Sequence, residues 1–144
     1  MLRPILLVED NPNDVELTLI ALEKTRLANP VVSLRDGEEA LLYLRREGPW
    51  ASRAEENPAV ILLDKKLPKI GHELLKIVRS DDKLKRIPVV MLTSSREETD
   101  LLRSYDLGVN AYVVKPVAFD DFMAAINDLG MFWGVLNEPP PYPR

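Results

Sequence analysis

The sequence predicts an α/β fold: a doubly wound, five-stranded parallel sheet with helices on both faces. Three observations lead there. Five short apolar runs alternate with stretches of helical periodicity along the 144 residues, the pattern of repeated strand–helix–strand units. The runs are apolar without polar alternation, as strands covered on both faces require. Several runs end abruptly in polar or charged residues, and in such a sheet those carboxyl ends border one crevice.

The elements follow in order. Ile5-Leu-Leu-Val8 is the first strand and runs into Glu9-Asp10. Asn11-Pro12-Asn13 supplies turn and capping chemistry. A helix is expected from Asp14 to about Leu27, with Val15, Leu19 and Leu22 on one face. Asn29-Pro30 breaks it before the second strand, Val31-Val-Ser-Leu34. Asp36-Gly37 opens a helix carrying Ala40, Leu41 and Leu44. From Glu47 to Pro58 the periodicity fades into a loop, where Trp50 is expected to pack on the domain edge.

Ala59-Val-Ile-Leu-Leu-Asp64 is the central strand, five apolar residues closed by one carboxylate. A helix follows from Glu73 to about Ser80. Pro88-Val-Val-Met-Leu92 is the fourth strand and ends in Thr93-Ser94-Ser95. A fourth helix spans about Glu97 to Asp106, stopped by Gly108. Its Glu97-Glu98 pair, like Asp81-Asp82, reads as solvated first-turn charge. Ala111-Tyr-Val-Val114 is the fifth strand, ending in Lys115-Pro116. The last helix runs from near Ala118 into the mid-130s. One domain, residues 1–137, and an extended Pro-rich tail, 138–144, complete the reading.

Composition narrows the function. A net charge of −4 argues against a broad nucleic-acid surface. Without cysteine there is neither a disulfide framework nor thiolate chemistry. No apolar run approaches the ~18–20 residues of a membrane span. The N-terminus enters a strand directly, leaving no room for a signal peptide. A cytoplasmic protein with no membrane partner is expected.

The strand ends carry the chemistry. Glu9, Asp10, Asp64, Thr93 and Lys115 close four different strands and fall on one edge of a parallel sheet. Each alone has an easy structural reading as a cap or turn residue. Together they form a pocket of three mutually repelling carboxylates. A hard divalent cation and a lysine relieve that repulsion. One carboxylate can then stay ionised as a nucleophile, with hydroxyl and ammonium groups ready for phosphoryl oxygens.

These residues lie in motifs that closely resemble the response-regulator receiver domain of two-component signalling. They are Ile5-Leu-Leu-Val-Glu-Asp-Asn-Pro12, Asp36-Gly-Glu-Glu-Ala40, Ile61-Leu-Leu-Asp64 with Leu67-Pro68, Met91-Leu-Thr-Ser94 and Ala111-Tyr-Val-Val-Lys-Pro116. The resemblance implies the flavodoxin-like strand order 2-1-3-4-5 and phosphoryl transfer to Asp64 from a phosphohistidine of a sensor kinase. It implies Mg²⁺ held by Asp10, Asp64 and the Lys66 carbonyl, with Glu9 assisting. Lys115 would pair with the phosphoryl group or carboxylate, and Thr93 would close onto a phosphoryl oxygen. Tyr112 would be the aromatic switch, and the Lys115–Pro116 bond would be cis. The Glu47–Pro58 loop and the Phe132-Trp133 to Pro141 ending resemble the regulators of bacterial phytochrome-type kinases. No output domain follows, so signalling by protein contact is expected.

Two departures stand out. Leu67-Pro-Lys-Ile-Gly-His-Glu73 is one residue shorter than the family's loop, and Lys65-Lys66 replaces uncharged residues. Lys66 also weighs against a phosphatase of the haloacid-dehalogenase type, which needs a second Asp two residues after its nucleophile. A dinucleotide enzyme would want a glycine-rich turn where Glu9-Asp-Asn-Pro12 stands. A non-phosphorylated receiver-like scaffold remains an alternative, although such a domain normally lacks one of the pocket residues and none is missing here. The only histidine, His72, reads as a surface or helix-cap residue.

A homodimer is also expected. On a 3.6-residue period Phe119, Phe122, Met123, Ile126, Leu129 and Trp133 share one stripe. Met131, Phe132 and Val135 fall off it and would form a second apolar patch, suited to a two-fold contact.

Overall fold

Five parallel strands form the sheet: β1 (Ile5–Val8), β2 (Val31–Leu34), β3 (Val60–Asp64), β4 (Val89–Thr93) and β5 (Ala111–Val114). Their order is β2-β1-β3-β4-β5. The helices are α1 (Pro12–Lys24), α2 (Gly37–Arg45), α3 (Ile70–Ser80), α4 (Arg96–Arg103) and α5 (Phe119–Asp128). This computed structural model describes residues 3–24, 29–53, 56–64, 70–105 and 107–128, side chains excepted at 70–72 and 128. From β1 the chain crosses to β2 on one side, and from β3 it crosses to β4 on the other, so the direction of winding reverses at the boundary between β1 and β3. That is the topological switch point where open α/β sheets bind ligands.

Every residue of β1, β3 and β4 is buried, which is why these runs lack polar alternation. Side chains still alternate between faces. Ile5, Leu7, Val60, Leu62, Val90 and Leu92 pack against α1 and α5 through Ala21, Leu22, Phe122, Ala125 and Ile126. Leu6, Val8, Ile61, Leu63, Val89 and Met91 pack on the other face against Ala40, Tyr43, Leu44, Leu74, Leu75, Val78 and Leu102. Truncating any central leucine to alanine would cost about 2–5 kcal/mol.

Three helices, α1, α3 and α4, begin earlier than the sequence suggests. α1 starts at Pro12, where a missing N–H is harmless, rather than at Asp14. Its buried residues are Thr18, Ala21 and Leu22, and Leu19 is 37% exposed. Val15 packs half-buried against the core as the periodicity predicts, so only Leu19 departs from the expected face, its place taken by Thr18 and Ala21. α3 begins at Ile70 instead of Glu73. α4 begins at Arg96, capped by the Ser95 hydroxyl, which accepts from Glu98 N–H at 3.1 Å. The Glu98 carboxylate in turn accepts from Ser94 N–H at 2.7 Å, a reciprocal cap. Glu98 is therefore a structural acid, not only a solvated one.

Part of the expected Glu47–Pro58 loop, among the described residues, has a defined turn. A 3-10 turn at Gly48–Trp50 follows Arg46, which closes α2 in the left-handed region at φ 57°. Trp50 meets the Tyr43 ring edge-on at 5.0 Å, as an edge-packing role requires. Arg53 lies over the other aromatic partner at 4.3 Å and donates to the Leu44 carbonyl at 3.3 Å, satisfying an orphan acceptor at the helix end. In α5, Phe122 and Ile126 are buried and Met123 half-buried, but Phe119 is 38% exposed. Leu129, Met131, Phe132, Trp133, Val135 and the tail lie outside the described residues, as does Lys66.

Candidate functional site

The sheet ladder continues one residue past β1 and β5 and fixes the start of the site. Glu9 N–H donates to the Leu34 carbonyl at 2.9 Å, and Lys115 N–H donates to Thr93 O at 2.7 Å. Asp64 is the last residue of β3, opposite Leu92. Backbone pairing thus presents Glu9, Asp64, Thr93 and Lys115 along one edge, with Asp10 beside them.

The Lys115 ammonium sits among three carboxylates. It donates to Asp14 Oδ2 at 2.7 Å, Asp64 Oδ1 at 3.1 Å and Glu9 Oε1 at 3.2 Å. An ammonium has three hydrogens, and these contacts account for all of them. Burial works to lower the Lys115 pKa, but the hydrogen bonds to Asp14, Asp64 and Glu9 outweigh it and push the pKa above the ordinary range.

Glu9 shows the cost of crowding. Burial, then its hydrogen bond to Asp64 and that carboxylate's charge, raise its pKa from 4.5 to about 7. Asn11 N–H at 3.2 Å and Lys115 offset only part of this. Glu9, Asp10 and Asp64 each bring one oxygen into a cluster no wider than 4.8 Å. Glu9 and Asp64 are buried and Asp10 is exposed. Three hard oxygen donors, open on one side, suit a small divalent cation, whose charge would relieve the crowding that raises the Glu9 pKa.

Thr93 lies apart from this cluster in its hydrogen bonding. Its buried hydroxyl is 2.8 Å from the Thr99 hydroxyl of α4, and a long 3.5 Å contact reaches the Val113 carbonyl. Thr99 also donates to the Ser95 carbonyl at 3.1 Å. Tyr112 is half-buried in β5, with the Arg103 guanidinium 4.8 Å from its ring centre. Arg96, Thr99, Asp100, Arg103, Tyr112 and Asp121 line a 410 Å³ groove between α4 and α5. The Lys115–Pro116 bond is cis.

The structure therefore gathers Glu9, Asp10, Asp64 and Lys115, and places Thr93 and Tyr112 on the adjoining strands. Lys66 and the residues Met131, Phe132 and Val135 fall outside the described residues. Two partners were not anticipated from sequence: Asp14 and Thr99. The spacing Glu9-x-x-x-x-Asp14 would have exposed Asp14 had the helix been started at Pro12. For Thr99 the signal was its place one turn into α4.

Comparison with known proteins agrees with this geometry. The family model described as the response regulator receiver domain matches residues 5–127. The probable methanogenesis regulatory protein FilR2 of Methanothrix harundinacea is 40% identical over 138 residues, 94% of this chain and 86% of its own. Response regulator Rcp1 of Synechocystis sp. is 38% identical over 132 residues, 91% of this chain and 88% of its own. The bacteriophytochrome response regulator RtBRR superposes with a TM-score of 0.88 at 65% identity, over 98% of this chain and 86% of that one. The phosphorylated cyanobacterial phytochrome response regulator RcpA gives 0.71 at 39% identity, over all of both chains. A Mn(2+)-bound form of response regulator Rcp1 gives 0.70 at 36%, over 99% of each.

Proposed function

The chain belongs to the response regulator receiver domain family, and from that premise we propose that Asp64 is its phosphoryl acceptor. A carboxylate oxygen of Asp64 attacks the phosphorus of a phosphohistidine on a sensor histidine kinase. The new O–P bond forms as the P–N bond breaks, and the imidazole leaves with the electron pair. Lys115 supplies a cation for the incoming phosphoryl oxygens, and Thr93 gives up Thr99 to donate to one of them. Tyr112 follows that movement beside α4. Glu9, Asp10, Asp64 and the Lys66 carbonyl would hold Mg²⁺, which supplies positive charge against the carboxylates and the transferring group.

The observation that supports this most is the contact of one ammonium with Glu9, Asp14 and Asp64. A cation drawn from β5 to meet acids from three other segments is a charge arrangement suited to an arriving anion. The phosphorylated RcpA and Mn(2+)-bound Rcp1 relatives support the phosphoryl and metal parts of the reading. The phytochrome regulators RtBRR and RcpA support a phytochrome-type kinase as the donor. In this reading the protein is a signalling component of the cytoplasm, not a turnover enzyme. It spans a receiver domain at residues 1–137 and a short tail, and acts by protein contact as a homodimer through Met131, Phe132 and Val135.

The test is intact mass after incubation with Mg²⁺ and a small acyl phosphodonor. Wild type should gain one phosphoryl group, roughly 80 Da, and should gain none when excess chelator is present from the start. Asp64→Asn keeps the shape and should gain nothing. Equal uptake by that variant would move the acceptor elsewhere.

A further inference from the structure

We propose that Asp14 is a positioning residue for phosphoryl transfer, anchoring the Lys115 ammonium from the first turn of α1 while the lysine's other partners change. The inference rests on Asp64 being the phosphoryl acceptor. Of the three Lys115 contacts, Asp14 is the shortest, 2.7 Å against 3.1 and 3.2 Å. The other two carboxylates have further duties. Asp64 exchanges an oxygen's charge for an acyl phosphate bond. Glu9 belongs to the oxygen cluster that would turn toward a cation. Asp14 is in neither role and can keep its contact through the whole cycle.

Asp14 is also mounted rigidly. It lies in the first turn of α1, and its own N–H donates to Asn11 Oδ1 at 3.1 Å. Lys115 brings the opposite property, a flexible four-carbon stem. Fixing one end of that stem's charge to a helix removes most of its freedom before the donor arrives. A simpler role for a first-turn acid is to complement the helix dipole, but that role does not need a lysine from 101 residues away.

Asp14 also adds negative charge near an incoming anion, which works against transfer. The two effects differ in range. The Asp14 side chain is 31% exposed, so its repulsion of a donor passes through water and is screened beyond roughly 8 Å in physiological salt. The contact with Lys115 is direct and is not screened. Anchoring should therefore dominate.

The experiment compares wild type, Asp14→Asn and Asp14→Ala, as full chains with Mg²⁺ and acetyl phosphate. At saturating donor, Asp14→Ala should be phosphorylated about tenfold more slowly, with half-saturation unchanged or lower. Asp14→Asn retains an acceptor oxygen and should fall between. The Lys115 ammonium resonance, read by ¹⁵N NMR with beryllofluoride bound, should be protected from exchange in wild type and broadened in Asp14→Ala. Wild-type rates in both folded variants would overturn the proposal. So would a slower rate that comes with an unchanged Lys115 resonance, since that would mark a merely structural role. If wild type itself takes no phosphoryl group, the acceptor assignment fails instead. Lys115 protection without beryllofluoride, compared between wild type and Asp14→Asn, still decides the anchor.

Discussion

Replacing Thr99 by valine should make the protein bind a phosphoryl analogue more tightly, although Thr99 touches neither the acceptor nor the lysine. In this conformation the Thr93 hydroxyl is paired with Thr99 at 2.8 Å in a fully buried setting. To donate to an oxygen on Asp64 it must abandon that bond. A neutral buried hydrogen bond is worth about 0.5–1.5 kcal/mol net, and 1 kcal/mol is about fivefold in an equilibrium constant. Valine keeps the shape and removes the hydroxyl. Thr93 is then left with the 3.5 Å contact to Val113 O, so the resting position loses at least the value of the bond. The conformer with Thr93 turned toward Asp64 should be populated about fivefold more, and apparent affinity follows that fraction. The assay is calorimetric titration with beryllofluoride at fixed Mg²⁺. Thr99→Val should bind about fivefold tighter, and Thr99→Ser like wild type. In a Thr93→Val background the Thr99 effect should vanish, since the cycle isolates the pair. Equal or weaker binding by folded Thr99→Val would refute the reasoning, as would a gain that survives without the Thr93 hydroxyl.

Three further predictions address charge, the scaffold and assembly. Glu9 has a pKa raised from 4.5 to about 7 in the folded protein, so the stability it contributes is full below pH 4.5 and disappears as pH rises through 7. In chelator, melting temperature should fall across that window by an amount equivalent to at most about 3 kcal/mol. Glu9→Gln should flatten the fall, and Mg²⁺ should stabilise wild type more at pH 8 than at pH 6. Arg79 ties the end of α3 to the neighbouring loops, donating to Gly108 O and Lys85 O at 2.8 Å, Ile87 O at 2.9 Å and Asn110 Oδ1 at 2.6 Å. Arg79→Ala should lose about 2–4 kcal/mol in urea unfolding, and Arg79→Lys most of that, because an ammonium cannot fork to four acceptors. Substituting Phe132 and Val135 by serine should convert a dimer to a monomer in light scattering at tens of micromolar. A wild type already monomeric there would remove the dimer.

The sheet was legible because its residues have only one place to go. Ile5–Val8 and Val60–Leu63 cannot face water on either side, and Glu9, Asp64, Thr93 and Lys115 follow such strands directly. Parallel topology then brings their ends together without any knowledge of side-chain angles. Asp14 and Thr99 were not legible for the converse reason: both sit on helices, where direction depends on where the helix starts and how it rolls on the sheet. Moving the start of α1 from Asp14 to Pro12 changes which side chains meet Lys115. The roll of α1 departs from the periodicity only at its edge: Val15 and Leu22 face the core as expected, while Leu19 is exposed and Thr18 and Ala21 are buried. Arg79 acts largely through backbone carbonyls of neighbouring loops and Arg53 through those at the end of α2, and carbonyls leave no mark in a sequence.

The central claim is that one carboxylate, Asp64, carries the phosphoryl group. An acyl phosphate is reduced by borohydride to an alcohol, so a phosphorylated aspartate is converted to homoserine at the same position. Phosphorylated protein should therefore be reduced, digested and mapped by tandem mass spectrometry. The account predicts homoserine at position 64 alone, absent from unphosphorylated protein and from Asp64→Asn. Homoserine at position 10 or 14, or a stable phosphoryl group on another residue with Asp64 unreduced, would contradict it.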